Sequence, residues 1–263
     1  MTARCDDGHT IEFEDRGDGT PVLFVHGFPH DHALWDPQLR TLGEHARCIA
    51  PDMRGFGGSG REGPWTMDRY ADDLACLLDH LSVERAVVCG LSMGGYVSFA
   101  FWRRHRDRVR ALVLCDTRPG PDSEEGKEKR RAIIDLARSE GAVAVAGQLI
   151  ENMLGRTTHE RRPEVVEGMR RMLERAPVEG IVGASEAMIA RPDSTPDQAT
   201  ITVPTLVMVG EEDTLTPPDE ARRMHDAIAG SRLEVLAGAG HASNVERPAA
   251  FDHALTDFLA SLD

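Results

Sequence analysis

Three short runs in this chain are apolar without alternation: VLFV at residues 22–25, AVVC at 86–89 and LVMV at 206–209. A strand that is buried on both faces has this pattern, and such strands are typical of parallel sheets with helices on both sides. Longer segments lie between these runs, and in one of them, Thr66–Leu81, apolar residues recur at helical spacing. The pattern therefore predicts an α/β protein built on a mostly parallel sheet.

The same alternation predicts the other elements of this layered unit. The predicted strands are Thr10–Glu14, Pro21–His26, Ala46–Pro51, Ala86–Gly90, Val109–Cys115, Val203–Gly210 and Arg232–Ala237. The predicted helices between and after them are Asp31–Gly43, Thr66–Leu81, Ser92–His105, Pro218–Ala229 and Pro248–Leu262.

One long stretch breaks the alternation, because no strand pattern occurs from Pro119 to Pro196. Charged amphipathic helices separated by Gly and Pro are predicted there: Glu124–Ser139, Ala142–Leu154, Arg162–Arg175 and Val178–Ala190. A helical insertion between two strands of a sheet is typical of a cap or lid. We therefore predict a core domain formed by residues 1–118 and 197–263, with a helical cap at 119–196.

Charge limits the kinds of partner that this chain is expected to bind. The 263 residues include 30 Lys and Arg against 44 Asp and Glu, a formal net charge of −14. Nucleic acids and anionic membranes both require concentrated positive charge, so neither is an expected partner. No stretch approaches the roughly 20 apolar residues that span a bilayer. We expect a small-molecule substrate and a monomer or small homo-oligomer.

The cysteines and the first residues bear on location. Five cysteines are present, an odd count without the CxxC spacing of metal sites, and we expect reduced, mostly buried thiols. The first residues, MTARCDDGHTIEFEDRG, are too acidic and polar for a secretory signal. Together these features predict a cytoplasmic protein.

The strongest local motif follows the second apolar run. Residues 87–95 read VVCGLSMGG, in which a buried strand leads into G-x-S-x-G and then into a helix. Glycines flank Ser92 because the turn is so sharp that larger side chains would clash, and the serine is presented at a helix N-terminus. This context predicts that Ser92 is a nucleophile.

A serine hydroxyl needs a base, and His241 is the best candidate. It lies in AGAGHASN, residues 237–244, a glycine-rich loop after the last predicted strand. Loops at the carboxyl ends of parallel strands are where α/β sheets build their sites. The histidine in turn needs an acidic partner. Asp213, three residues after the glycine that closes its strand, is the first candidate, and Asp116 after the strand Val109–Cys115 is the competitor.

The order Ser92, Asp213, His241 is the order expected of an α/β-hydrolase. HGFP at residues 26–29 and DMRGFG at 52–57 supply further motifs. Over nearly its whole length the chain resembles the α/β-hydrolase fold superfamily. The resemblance implies a mostly parallel eight-stranded sheet flanked by helices, with acyl transfer to water through an acyl-enzyme on the serine.

Two motifs narrow the resemblance within the superfamily. GLSMGG at 90–95 and GHASNVERP at 240–248 are similar to those of small carboxylesterases and 3-oxoadipate enol-lactonases. Similar motifs occur in C–C bond hydrolases and in cofactor-free haloperoxidases, which act as perhydrolases, so these activities stay open as alternatives. A non-catalytic ligand-binding protein of the same fold is a further alternative.

The resemblance also implies an oxyanion hole formed by the backbone N–H groups of Phe28 and Met93. The substrate pocket is expected to involve apolar residues of the cap and of the segment after the predicted strand Pro21–His26. These candidates are Phe28, Trp35, Leu149, Met153, Leu154, Met172, Met188 and Ile189. An enol-lactone carries a carboxylate, for which the cap offers Arg156, Arg161, Arg162 or Arg191.

No cofactor and no metal are expected. GFGGSG at 55–60 superficially resembles a dinucleotide loop but lacks G-x-G-x-x-G in a βαβ context. HGFPHDH at 26–32 contains three histidines, which are spread over a strand end, a loop and a helix start instead of converging as metal ligands do. We predict that His26 bonds locally and that Asp31 caps the next helix.

Overall fold

A computed structural model describes residues 1–262, and an eight-stranded sheet forms its centre. The strands are β1 (Thr2–Arg4), β2 (Thr10–Arg16), β3 (Pro21–Val25), β4 (Arg47–Pro51), β5 (Ala86–Leu91), β6 (Val109–Cys115), β7 (Thr205–Gly210) and β8 (Arg232–Leu236). Their order across the sheet is β1-β2-β4-β3-β5-β6-β7-β8. The pairings of β1 with β2 and of β2 with β4 are antiparallel, and the others are parallel. The predicted fold class is confirmed.

Helices flank the sheet and fill the segment between β6 and β7. They are α1 (Asp36–Thr41), α2 (Met67–His80), α3 (Met93–His105), α4 (Glu124–Met153), α5 (Arg156–Arg161), α6 (Pro163–Glu174), α7 (Val178–Ala190), α8 (Pro218–Ala227), α9 (Ser243–Glu246) and α10 (Pro248–Ala260). None of the helices in the described part of the chain is long and apolar enough to cross a membrane.

Two apolar layers hold the sheet between helices. Every residue of β5 and of β7 is buried, which explains why their sequences lack alternation. On one face, residues of α2, α3 and α8 pack against the sheet. On the other face, residues of α1 and α10 do so. Because β5 lies in the middle of the order, the turn that follows it is placed near the centre of the molecule.

Some predicted elements differ from the structure. Strand β1 was not predicted, because a three-residue edge strand offers too short a pattern. The predicted helix Asp31–Gly43 is instead a 3₁₀ turn at His32–Trp35 followed by the short α1. The two helices predicted on either side of residues 140–141 form the single span α4, which Gly141 kinks with a φ of 81°. Only glycine adopts that backbone conformation without a steric penalty.

The prediction of five reduced cysteines is wrong. Cys5, just after β1, forms a disulfide with Cys76 in α2, and Cys48, Cys89 and Cys115 are free and buried. The two bonded cysteines are 71 residues apart in sequence. They meet because β1 pairs at the edge of the sheet, beside α2, and no local pattern reveals that proximity. With this disulfide present, the cysteines no longer support the expectation of a cytoplasmic location.

Candidate active site

Ser92 occupies a strained turn between β5 and α3. Its φ is 55° and its ψ is −112°, a region that non-glycine residues rarely adopt. The neighbouring glycines permit the turn, since a Cβ on Gly90 would lie 2.3 Å from the Gly94 carbonyl oxygen. A Cβ on Gly94 would lie 2.1 Å from the Val25 carbonyl oxygen. The glycine spacing is thus required by close backbone approach around the serine.

The backbone of Ser92 is held from both sides. Its N–H donates to the Cys115 carbonyl oxygen at 2.9 Å, at the end of β6. Its carbonyl oxygen accepts from the Thr117 hydroxyl at 2.7 Å. These bonds tie the strained turn to the neighbouring strand and fix the direction of the side chain.

Ser92, His241 and Asp213 form one hydrogen-bonded series. The distance from Ser92 Oγ to His241 Nε2 is 2.7 Å, and His241 Nδ1 lies 2.8 Å from Asp213 Oδ2. The Asp213 carboxylate also accepts from the Leu215 and Thr216 N–H groups, at 2.8 and 3.0 Å, and from the Thr216 hydroxyl at 2.7 Å. Asp213 is thereby fixed in the orientation that the histidine needs.

Charge coupling adjusts the pKa values of this pair. Burial lowers the pKa of His241, but the Asp213 carboxylate outweighs burial and the pKa lies above its ordinary value. Burial raises the pKa of Asp213, yet the charge of His241 and the bonds from Thr216 bring it below its ordinary value. An ionised acid beside a histidine of raised basicity is the electrostatic state that favours proton abstraction from a serine.

Asp116, the competing acid, makes different contacts. It follows β6 with a φ of 46° and is fully buried. Its carboxyl group contacts the Gly210 N–H at 2.8 Å and the Ser243 hydroxyl at 2.5 Å, and no bond joins it to His241. Burial and the nearby Asp213 raise the pKa of Asp116 well above its ordinary value. Asp116 therefore connects the ends of β6 and β7 to the histidine loop, and Asp213 is the carboxylate that contacts the histidine.

Two backbone N–H groups are free to bind a ligand beside Ser92. Within residues 1–262, neither the N–H of Phe28 nor that of Met93 has an intramolecular acceptor. Met93 begins α3, so its N–H lies at the positive end of that helix dipole. Phe28 follows Gly27, where a Cβ would lie 3.2 Å from Ser92 Cβ. The Phe28 loop is thus packed directly against the serine.

Two of the three histidines of residues 26–32, His26 and His32, have separate side-chain partners, and the ring nitrogens of His30 have none within the described residues. His26 Nδ1 lies 2.8 Å from the Gly27 carbonyl oxygen, and its Nε2 accepts from the Met53 N–H at 2.9 Å. His32 Nδ1 contacts Asp52 Oδ1 at 2.8 Å. His30 is buried, and burial lowers its pKa to about 3. Asp31 accepts from the Ala33 N–H, so its predicted role as an N-cap is confirmed.

Glu246 joins the histidine loop to the helical segment, a role that sequence reasoning missed. It is fully buried, and it accepts from the Gly155 N–H before α5 and from the Gly240 N–H beside His241, both at 2.8 Å. Burial raises the pKa of Glu246 above its ordinary value. The residue stands in the GHASNVERP motif, but only the fold reveals that its partner is 91 residues away.

A cavity of about 690 Å³ opens above Ser92 and His241. Four of the predicted substrate residues line it, namely Phe28, Leu149, Met153 and Met188. The helical segment thus supplies much of the apolar wall. Thr214 and Leu215, which follow Asp213 after β7, also line the cavity.

Trp35 and Leu154 are not brought to the cavity, contrary to expectation. Trp35 is fully buried between Phe24 and Phe251, with ring centroids 4.9 and 6.0 Å away. The 3₁₀ turn that contains Trp35 directs its side chain toward the layer below the sheet. Leu154 packs into that same apolar cluster, as does Met172, and Ile189 is likewise absent from the cavity wall.

The predicted cations also fail to line the cavity. Arg156 contacts Glu160, Arg162 contacts Glu164, and Arg161 is exposed. Arg191 is buried behind the wall. Two arginines that sequence reasoning missed, Arg118 and Arg130, line the cavity instead. The one available signal was that Arg118 follows β6 by three residues, at the edge of the sheet where sites form.

Several known proteins are similar to this chain along nearly its whole length. A family model described as the alpha/beta hydrolase fold matches residues 20–248. A thermophilic esterase from Thermogutta terrifontis is 42% identical, with a TM-score of 0.96 over 100% of this chain and 98% of that chain. The enol-lactonase from Burkholderia xenovorans LB400 is 33% identical, with a TM-score of 0.91 over 99% and 100% of the two chains.

A third relative has a different named activity. The 2-hydroxymuconate semialdehyde hydrolase of Pseudomonas sp. (strain CF600) is 30% identical over 274 residues, 97% of this chain and 92% of the relative. The similarity therefore extends along nearly the full length of each of these proteins.

Proposed function

The chain belongs to the α/β-hydrolase fold family, and from that premise we propose that it hydrolyses carboxylic esters through an acyl-enzyme on Ser92. The observation that carries the proposal is the series of hydrogen bonds from Ser92 Oγ to His241 Nε2 at 2.7 Å and from His241 Nδ1 to Asp213 at 2.8 Å. A nucleophile, a base and an orienting acid in this arrangement are the parts that acyl transfer requires.

In the first half of the reaction, His241 Nε2 takes the proton of Ser92 Oγ as the oxygen attacks the ester carbonyl carbon. The resulting imidazolium is stabilised by Asp213, which stays ionised. The tetrahedral intermediate then expels the alkoxide, which leaves as the alcohol after taking the proton from His241. The acyl group remains on Ser92.

The negative oxygen of the tetrahedral intermediate needs donors that are already in place. The backbone N–H groups of Phe28 and Met93 serve this role in our proposal, because neither has an acceptor within the described residues. Loss of one such donor typically costs about 3 kcal/mol of transition-state stabilisation. Because both donors are backbone groups, the side chains at these positions are free to be apolar.

In the second half, His241 removes a proton from water, which attacks the acyl carbon and releases the acid. We propose that residues 119–196 act as a cap that shapes the substrate pocket, because Leu149, Met153 and Met188 line the cavity above Ser92. Methionine side chains adapt to irregular shapes, which suits small to medium acyl groups.

Lactone hydrolysis is the closest variant of this function, since a lactone is a cyclic ester, and the similarity to the Burkholderia xenovorans enol-lactonase favours it. Cleavage of a C–C bond is the second candidate, favoured by the similarity to 2-hydroxymuconate semialdehyde hydrolase. Both reactions act on a carbonyl carbon of a substrate bound in the same cavity. A panel of simple esters, lactones and vinylogous diketones separates the three by relative kcat/KM.

The test of the proposal is hydrolysis of p-nitrophenyl butyrate by the wild type and by Ser92→Ala. Removal of the nucleophile is expected to reduce kcat by roughly 10⁴- to 10⁶-fold. Ser139→Ala serves as the matched control, because Ser139 is exposed on α4 and bonds only to its own helix. Turnover by Ser92→Ala at the rate of the control would contradict the proposal.

A further inference from the structure

Four charged side chains contact one another beside the cavity, and we call them the arginine cluster. Arg118 and Asp122 come from the connection after β6, Arg130 from α4, and Arg191 follows α7. Asp122 Oδ1 accepts from Arg118 Nη2 at 2.7 Å and from Arg191 Nη2 at 3.0 Å. Arg130 donates to Asp122 Oδ2. A single carboxylate therefore faces three guanidinium groups.

The arginine cluster carries excess positive charge. Burial raises the pKa of Asp122, but hydrogen bonds from Arg191 and Arg130 outweigh it and hold that pKa well below its ordinary value. The carboxylate is therefore ionised, and three cations against one anion leave two positive charges uncompensated within the cluster. The chain as a whole has a formal net charge of −14, so the arginine cluster is a positively charged region in a negatively charged protein.

Arg191 is buried and stabilises the structure around the cavity. Only 3% of its side chain is exposed, and it donates to the carbonyl oxygens of Met188 and Gly120, at 2.8 and 2.9 Å. Its guanidinium also stacks on the Tyr96 ring, 4.1 Å from the ring centroid. These contacts tie the end of the helical segment to its beginning and support the ring that lies beside Ser92 in the cavity wall.

Arg118 and Arg130 are placed differently. Their side chains are 31% and 21% exposed, and both line the cavity that contains Ser92. Within residues 1–262, each donates to Asp122 through one guanidinium nitrogen, Arg118 also contacts Tyr96, and Arg118 Nε is a buried donor without a partner. Arginine forks are well suited to carboxylates, which they bind with paired, charge-assisted hydrogen bonds.

The nearby charges do not cancel this pair. Lys129, at the mouth of the cavity, is 2.7 Å from Glu125 and so forms a neutral pair. The Asp213 carboxylate is hydrogen-bonded to His241. Fixed positive charge at the wall of a concave, partly apolar site attracts anions strongly, because field lines are concentrated there.

We propose that Arg118 and Arg130 bind an anionic group of the substrate, so that the preferred substrate is an ester or lactone that carries a second, carboxylate group. The reaction in this inference rests on the proposed ester hydrolysis, but binding of the carboxylate to the arginines can be measured without it. The apolar wall formed by Leu149, Met153 and Met188 then contacts the carbon chain between the carboxylate and the reacting carbonyl.

The first experiment compares matched substrates in a pH-stat. Monomethyl adipate and methyl hexanoate have acyl chains of the same length and differ by the terminal carboxylate. The wild type is expected to prefer the charged ester by about 10-fold or more in kcat/KM. Arg118→Gln and Arg130→Gln are each expected to lower kcat/KM for the charged ester by about 10- to 100-fold. The neutral ester is expected to change less than about threefold, because no guanidinium contact is lost.

Arg131→Gln is the matched control, because it removes the same charge from the next position of α4, where Arg131 is exposed and contacts Glu128. It is expected to leave the preference between the two esters unchanged. A second pair, 4-acetoxybutyrate and butyl acetate, places the carboxylate on the alcohol side. The pair that shows the arginine-dependent preference identifies which side of the ester faces the arginine cluster.

The second experiment measures binding without turnover. Calorimetric titration of Ser92→Ala with monomethyl adipate is expected to show saturable binding that weakens by about 10-fold or more when Arg130→Gln is added. Because turnover is not needed, a failure of the proposed ester chemistry would leave this result intact. Conversely, the wild type could hydrolyse both esters through Ser92 with equal kcat/KM. That result would support the proposed function and overturn the inference about carboxylate binding.

A purely structural role for the arginine cluster predicts another outcome. In that case Arg118→Gln, Arg130→Gln and Arg191→Gln would all lower the melting temperature and reduce both esters equally. Should a glutamine variant fail to fold, the wild type alone decides the matter: its preference for monomethyl adipate is expected to fall as ionic strength rises. Equal kcat/KM for the two esters at low salt would overturn the inference.

Discussion

Two groups of residues serve the cavity and are built in opposite ways: we call Ser92, Asp213 and His241 the reactive end and the arginine cluster the recognition end. At one end, Ser92, Asp213 and His241 follow the ends of strands, and their reactive side-chain atoms are hydrogen-bonded to one another. At the other end, Arg118 and Arg130 come from the connection after β6 and from α4, and they share one carboxylate with a third arginine. The reactive side chains of the first end are hydrogen-bonded to one another, whereas Arg118 Nε at the second end is a buried donor without a partner in the described residues.

This difference separates reaction from recognition. Backbone hydrogen bonds of the sheet fix the ends of the strands, and these in turn fix the positions of Ser92, Asp213 and His241. The arginines depend on how the helical segment packs over the sheet, which allows their position to vary without disturbing the chemistry. Changes at the first end are therefore expected to abolish turnover, and changes at the second to alter which substrate is preferred.

The largest effect that separates the two ends, after removal of the nucleophile, is expected from Asp213→Asn. The amide keeps the shape but reverses the hydrogen bond that sets the tautomer of His241, so kcat for p-nitrophenyl butyrate is expected to fall by about 10⁴-fold. Arg130→Gln, in the same assay, is expected to change it less than about threefold. Similar losses of kcat in the two variants would show that the arginines, like Asp213, are needed for the reaction itself.

The pH dependence of kcat/KM provides a graded comparison. His241 acts as a base only when neutral, and Asp213 raises its pKa above the ordinary value. Activity is therefore expected to rise with pH through a midpoint above the ordinary histidine pKa of about 6.5, falling about tenfold per unit below that midpoint. Residual activity of Asp213→Asn should show the midpoint at lower pH, since the charge that raises the pKa is gone. An unshifted midpoint would indicate that another group titrates.

A smaller effect is expected at the second buried aspartate. Burial raises the pKa of Asp116 well above its ordinary value, so a neutral amide is a close substitute. In Asp116→Asn the amide oxygen can accept from the Gly210 N–H and the amide nitrogen can donate to Ser243 Oγ. We expect kcat/KM within about tenfold of the wild type, because the substitution changes the free energy by about that of one hydrogen bond. A loss as large as that of Asp213→Asn would mean that the acid had been assigned to the wrong strand end.

The reactive end could be read from the sequence because its signals are local. VVCGLSMGG contains both the buried strand and the glycines that the turn requires, and parallel strands carry their carboxyl ends to one edge. Asp213 and His241 were then found by their positions after strands. The structure brings all three within hydrogen-bond distance, although their catalytic roles stay predictions.

The recognition end could not be read in the same way. An amphipathic helix reveals which face is apolar, but the rotation of α4 and the path of residues 116–123 decide which arginine faces the cavity. Trp35 was misplaced for a related reason, since a 3₁₀ turn replaced the predicted helix and turned the ring inward. Cys5 and Cys76 met through an edge strand that was too short to predict. Each error concerns a contact between segments distant in sequence.

Covalent labelling tests whether Ser92 is the nucleophile. The protein is incubated with diethyl p-nitrophenyl phosphate, digested, and mapped by mass spectrometry, with Ser92→Ala treated in parallel. We predict one diethylphosphoryl group per chain, located on the peptide that contains Ser92, appearing together with the loss of ester hydrolysis and absent from the variant. An unlabelled Ser92 in a protein that still hydrolyses esters, or an inactivating label on another residue, would contradict the account.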